Sequence, residues 1–223
     1  MSAEVISTPE LLEQILVHLP IRDLLVAAPL VSKTWHAVTL SPALQRALFF
    51  EPDPLASAST RVKNPLLAET FPPFFEDDPH WSGNLEAIES MPWSKAPDAF
   101  KRQEASWRRM LVTQPPAQTM VIEQEVSGMA GISERRAVLK DLSLRMGVLY
   151  DTIVPFIEDD VVCFRIQWHN GIALEGPGDL KLEVGAGYGC MDDLSRTLGG
   201  RFHSDGEKVI EVPFGKWETR MWD

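Results

Sequence analysis

The run in this chain that most invites a chemical reading is Leu182-Glu183-Val184-Gly185-Ala186-Gly187-Tyr188-Gly189. A strand leading into Gly-x-Gly-x-Gly lets backbone approach a nucleotide-like cofactor, and an acidic residue at a later strand end would bind ribose hydroxyls. Glu211, 22 positions after Gly189, occupies such a place, but the 34 residues after Gly189 are too few for the further strand–helix units of a doubly wound sheet. A glycine-rich link between two strands explains the same letters. Asp159–Asp160 and Asp192–Asp193 offer paired carboxylates. Adjacent side chains point in different directions on a strand or helix, so solvated turns and helix caps are the roles expected of them. His80, His169 and His203 lack close ligand spacing, Ser195 and Ser204 lack a nucleophile-elbow context, and nothing beside Cys163 in sequence would activate its thiol. No catalytic residue, cofactor or metal is therefore expected.

The elements that would carry any site follow from composition. The chain has 223 residues, 21 basic and 32 acidic, and a net charge of −11, with 44% apolar residues. That balance provides no basic stripe for phosphates, and no stretch reads as a bilayer span, so neither nucleic acid nor membrane is expected as a partner. Met1 to Ile6 lacks the basic start and apolar run of a signal peptide, and the two cysteines, Cys163 and Cys190, fit a reducing compartment. Cytoplasm or nucleus is the expected location.

The average hides three regions. Residues 11–50 hold 24 apolar residues in 40. Residues 51–99 hold nine acidic and three basic residues and eight of the 17 prolines, a composition that reads as an acidic connector, extended or partly disordered. Leu66, Leu67, Phe71, Phe74, Phe75, Trp81 and Trp93 are its possible anchors. Residues 100–223 mix patterns of period 3.6 and period 2. A helix is expected through Phe100, Trp107 and Leu111, strands at Met120–Val126, Val161–Trp168, Leu180–Val184 and Ile210–Phe214, and helices after Ser133 and through Met146–Ile153. Trp217 and Trp222 are expected to pack back on the sheet. The fold class is α+β: a helical module at 5–50, a connector at 51–99, and a small mixed domain with a short sheet at 100–223.

In the first region Thr8-Pro9 is a cap-and-proline helix start, Leu12, Ile15, Leu16 and Leu19 form one stripe, and Pro20 ends it. Short helices follow around Leu24–Ala28, Leu30–Val38 and Pro42–Leu48. About 45 residues cannot cover this much apolar surface with their own atoms. Either the rest of the chain or a partner must cover it.

The run from Thr8-Pro9-Glu10-Leu11-Leu12 through Leu19-Pro20-Ile21-Arg22-Asp23-Leu24-Leu25, followed by Leu30-Val31-Ser32-Lys33-Thr34-Trp35, resembles the F-box. Thr8 stands where the family usually has Leu, and Ser32 where it often has Cys. The continuation Ser41–Phe50 and Asn64-Pro65-Leu66-Leu67 resembles F-box proteins of filamentous fungi. The resemblance implies docking on the S-phase-kinase-associated adaptor of a cullin–RING ubiquitin ligase, with the remaining chain holding an unknown protein substrate. It assigns the adaptor interface to Pro9, Leu12, Ile15, Leu16, Leu19, Pro20, Leu24, Leu25, Val31 and Trp35, with Trp35 the first choice for internal core. Leu16→Asp or Leu19→Asp would then break adaptor binding and leave the C-terminal region folded. The chain would be a non-catalytic substrate receptor. An interaction scaffold outside any ligase is the first alternative. The second rests on residues 182–189, which resemble the first motif of S-adenosylmethionine-dependent methyltransferases.

Overall fold

The computed structural model describes residues 8–57, 61–76, 83–91, 102–128, 131–140, 143–157, 162–168, 179–187 and 218–222. The acidic doublets, the three histidines named above, Ser195, Ser204, Cys190, Glu211, Trp81, Trp93, Trp217 and the strand expected at Ile210–Phe214 lie outside them.

The described residues begin with five short helices: α1 (Pro9–Leu16), α2 (Ile21–Val26), α3 (Ala28–Val31), α4 (Lys33–Thr39) and α5 (Pro42–Ala47). Their boundaries follow local chemistry. Pro9 and Pro42 occupy first helical positions, where a missing N–H costs nothing. The Ser32 hydroxyl accepts from the Trp35 N–H at 3.2 Å, capping α4, and Ser41 does the same for Leu44 at 3.5 Å. Thr8 sits extended before α1, but its side chain makes no capping bond. Leu12, Leu16, Leu24, Ala28, Val38, Leu44 and Leu48 close a small core between these helices.

In its described residues, the stretch expected to be an extended or partly disordered connector is built of short elements. It contributes β1 (Val62–Lys63), α6 (Pro65–Thr70), α7 (Pro72–Phe75), β2 (Gly83–Asn84) and α8 (Leu85–Ser90). Its prolines start helices rather than prevent them: Pro65 and Pro72 open α6 and α7. Buried Asn64 caps α6 by accepting from the Leu66 and Leu67 N–H groups, while its own amide donates to the Leu111 carbonyl at 3.2 Å. Four of the proposed anchors, Leu67, Phe71, Phe74 and Phe75, are buried in the main core. Aromatic burial outweighs the acidic, proline-rich composition here.

After α9 (Ser106–Arg109) and β3 (Thr113–Gln114), which pairs with β1, come β4 (Met120–Gly128), β5 (Gly131–Leu139), α10 (Met146–Ile157), β6 (Val162–Trp168), β7 (Leu180–Gly187) and β8 (Glu218–Trp222). The Gln114–Pro115 bond is cis. The main sheet has the order β2-β6-β7-β4-β5-β8, antiparallel throughout except for the parallel β4–β7 pair. One face carries Met120, Ile122, Ala137, Leu139, Phe164, Ile166, Leu180, Leu182 and Val184, all buried. Against it lie Leu149 and Ile153 of α10 and the rings of Phe71 and Phe74. Phe74 meets Phe164 at 5.3 Å, and Trp107 bridges Phe71 and Tyr150 at 5.0 and 5.2 Å.

Two sequence expectations are corrected. Of the helix expected through Phe100, Trp107 and Leu111, Phe100 lies outside the described residues and only Ser106–Arg109 is helical from Arg102 onward, because Met110 turns extended and Leu111 is held in a bridge to Arg145. The helix expected after Ser133 is strand β5: its nine-residue hairpin register with β4 overrides the helix-favouring Arg135-Arg136-Ala137. Glu218–Trp222 forms β8 on β5, a pairing that short-range pattern does not supply.

Candidate functional site

As far as Gly187, the last described residue of the glycine-rich run, the chain folds as strand rather than cradle. Gly185, Ala186 and Gly187 pair with β4 on one side, and Gly185 and Ala186 pair with β6 on the other. Their backbone groups are therefore committed to the sheet. Glu183, the acidic member of the motif, belongs to a ladder of charge on the face opposite the core. Arg165 and Lys181 both pair with Glu183, Lys181 also reaches Glu123 at 2.7 Å, and Arg136 faces Glu123 at 3.7 Å. Burial alone would raise the Glu183 carboxyl, but Lys181 and Arg165 hold it below the usual carboxylate range. Lys181 answers in kind: burial opposes its charge, yet Glu123 and Glu183 push it upward. Each charge is already matched, as in a structural cross-strand network.

The other titratable clusters also fasten elements together. Arg61 binds Asp179 at 2.7 Å, and Asp179 accepts from the Gln118 and Thr119 N–H groups at 2.6 and 3.0 Å. Burial works against ionisation of Asp179, but these donors outweigh it and lower its pKa. Asp151, beside Arg108, is instead raised, because desolvation exceeds the help its partner gives. Burial also raises the half-buried Cys163 thiol, the opposite of what a nucleophile needs. Among the described residues, no group of three or more His, Cys, Asp or Glu side chains could hold a metal ion, and no helix is long and apolar enough to cross a membrane.

Among the described residues, most of the large apolar side chains left exposed lie on the helical module, with Leu55 and Val62 the exceptions. Helix α1 carries two adjacent stripes. Leu12 and Leu16 face inward and are fully buried, whereas Leu11 and Ile15, one position earlier, are 47% and 46% exposed. Val26 leaves α2 outward while Leu24 turns inward. In α3, Ala28 is buried, but Leu30 is 82% and Val31 59% exposed. Leu40, just after α4, is also exposed. This density of bare aliphatic side chains on a module whose core is already closed marks an interaction surface.

The ten residues assigned from sequence divide accordingly. Pro9, Ile15, Pro20 and Val31 are exposed, and Leu19 and Trp35 are half-buried against the module core. Leu25 is half-buried between the module core and the main core. Leu12, Leu16 and Leu24 are the internal core instead, a correction to the expectation that Trp35 would play that part before them. The physical reason is geometric: the Leu11–Leu12 and Ile15–Leu16 pairs offer two equivalent stripes, and only the crossing of α1 on α4 selects the inner one. Leu11, Val26, Leu30 and Leu40 were missed as surface residues, although an apolar residue beside each inward position was the available signal.

A family model described as F-box-like matches residues 9–51, a span that contains all five helices of this module. No curated protein and no solved structure matches the chain.

Proposed function

From the premise that residues 9–51 are an F-box-like domain, we propose that this chain is a non-catalytic substrate receptor of a Skp–cullin–F-box ubiquitin ligase. The outward aliphatic side chains of the module dock on the Skp-type adaptor, and the sheet domain carries the protein to be ubiquitinated. Ubiquitin transfer is then the work of other subunits, in the cytoplasm or nucleus. The observation that supports this reading most is that Ile15, Leu30 and Val31 are all bare in the free chain, within the matched span. An amphipathic helix that presents such residues fits a hydrophobic groove on a partner.

Affinity purification with mass spectrometry tests the proposal. Wild-type protein should bring down adaptor and cullin, and Ile15→Asp should lose both while keeping proteins bound through the sheet domain. Recovery of adaptor without cullin would favour a scaffold outside a ligase. Absence of adaptor from the wild-type sample would end the receptor reading.

A further inference from the structure

The helical module and the sheet domain meet at the turn that follows α5, and this turn has the wrong residue for its shape. Phe49 takes φ 61°, the left-handed conformation that helix ends normally give to glycine. Its N–H donates to the Arg46 carbonyl at 2.9 Å and the Phe50 N–H to the Gln45 carbonyl at 2.8 Å, the two bonds of a Schellman motif. An aromatic residue holds this conformation only where the surroundings over-determine it.

The over-determination comes from the sheet domain. The Leu111 N–H donates to the Phe49 carbonyl at 2.7 Å. The Gln114 amide donates to the carbonyls of Arg46 and Glu51 at 2.7 and 3.2 Å. Arg145 donates to the Phe50 carbonyl at 3.2 Å and, from the same nitrogen, to the Arg109 carbonyl. The Arg109 guanidinium lies 5.3 Å over the Phe50 ring. Phe50 itself packs against both hydrophobic cores, as Leu25 does. Another link across the boundary, the Arg22–Glu69 ion pair, is 63% and 67% exposed and contributes little.

We infer that the turn at 45–51 is a rigid joint that makes the helical module and the sheet domain one cooperative unit, with Gln114 as its positioning residue. Both hydrogen bonds of the Gln114 amide go to the turn, so its role is separable from the packing of either core. The joint is independent of what docks on the module, but it fixes the orientation of any docked partner relative to the sheet.

Hydrogen exchange on the full chain reads the joint directly. In the wild type, the slowest amides of α1 and α2 should exchange within about tenfold of the slowest amides of β4 and β7. Gln114→Ala should accelerate both sets by a similar factor, about tenfold for two lost hydrogen bonds, and Arg22→Ala should change neither by more than about twofold. If Gln114→Ala does not fold, Gln114→Asn withdraws the same amide by one methylene and is read in the same way. The inference is overturned if wild-type module amides exchange more than about tenfold faster than those of the sheet. It is equally overturned if the Gln114 variant accelerates only one set or neither, or if Arg22→Ala has the larger effect.

Discussion

Ile15 and Leu16 are neighbours in sequence and opposites in the structure, and a pair of aspartate substitutions separates interface from core. Leu16 is fully buried between α1 and the rest of the module, so Leu16→Asp removes its packing, worth about 2–5 kcal/mol, and buries a carboxylate without a partner. Against a total stability of about 5–15 kcal/mol that loss unfolds the cooperative unit to which the module belongs. Ile15 is 46% exposed, so Ile15→Asp forfeits little in the free chain. On docking, it loses about 1 kcal/mol of further apolar burial and adds roughly 2–3 kcal/mol for desolvating the new charge. Together these weaken association by at least about 100-fold. Circular dichroism melts of the free proteins and calorimetric titration with a purified Skp-type adaptor measure the two effects separately. Ile15→Asp should melt within about 2 °C of wild type and bind at least about 100-fold more weakly. An Ile15→Asp affinity within about threefold of wild type would refute the assignment of the outward stripe. A Leu16→Asp protein that melts like wild type would refute the packing from which the division was drawn.

Three further expectations concern the sheet domain. Gln124 is buried on the core face of β4 with neither amide atom hydrogen-bonded, so Gln124→Met should raise stability by about 1–2 kcal/mol in a chemical denaturation series; a loss of stability would show that the amide has a role in the fold. A Cβ on Gly147 would meet the Arg108 carbonyl at 2.9 Å and the Arg108 Cβ at 3.1 Å. Gly147→Ala should therefore destabilise by about 1–3 kcal/mol despite its better helix propensity, and a higher melting temperature would contradict the close approach of α9 and α10. Asp179→Ala removes a carboxylate whose pKa is lowered in the folded state, so the stability it contributes is present at neutral pH and lost as pH falls through that lowered value. The gap in melting temperature between wild type and variant should stay constant from about pH 7 to 5 and shrink below about pH 4; a gap that widens on acidification would give the opposite sign.

The legible parts of the sequence were those governed by local rules. Pro9, Pro42 and Ser41 announced helix starts, and the alternation through Phe164 and Ile166 and the stripe through Met146, Leu149 and Ile153 were readable because period and burial agree. What failed depended on contacts distant in sequence. Phe71, Phe74 and Phe75 turn an acidic, proline-rich stretch into core because β6 and α10 receive them, and β5 is a strand because β4 and β8 flank it. Within the candidate site the module and its boundaries were legible, but the choice between Leu12 and Leu11, or Leu16 and Ile15, was made by helix crossing. The Gly185–Gly187 run was ambiguous for a related reason: the same glycines suit a cofactor turn and a strand, and only pairing with β4 and β6 distinguishes them. The joint at Phe49 had no sequence signal, since a phenylalanine at a left-handed helix end is what the usual glycine rule excludes.

The central claim is that residues 9–51 present an adaptor-docking surface in the intact chain. The most direct measurement is a calorimetric titration of the purified wild-type 223-residue chain with a purified Skp-type adaptor. The account predicts a saturable 1:1 complex with a negative heat-capacity change from burial of Leu11, Ile15, Leu30 and Val31. No detectable association with the folded chain would contradict it.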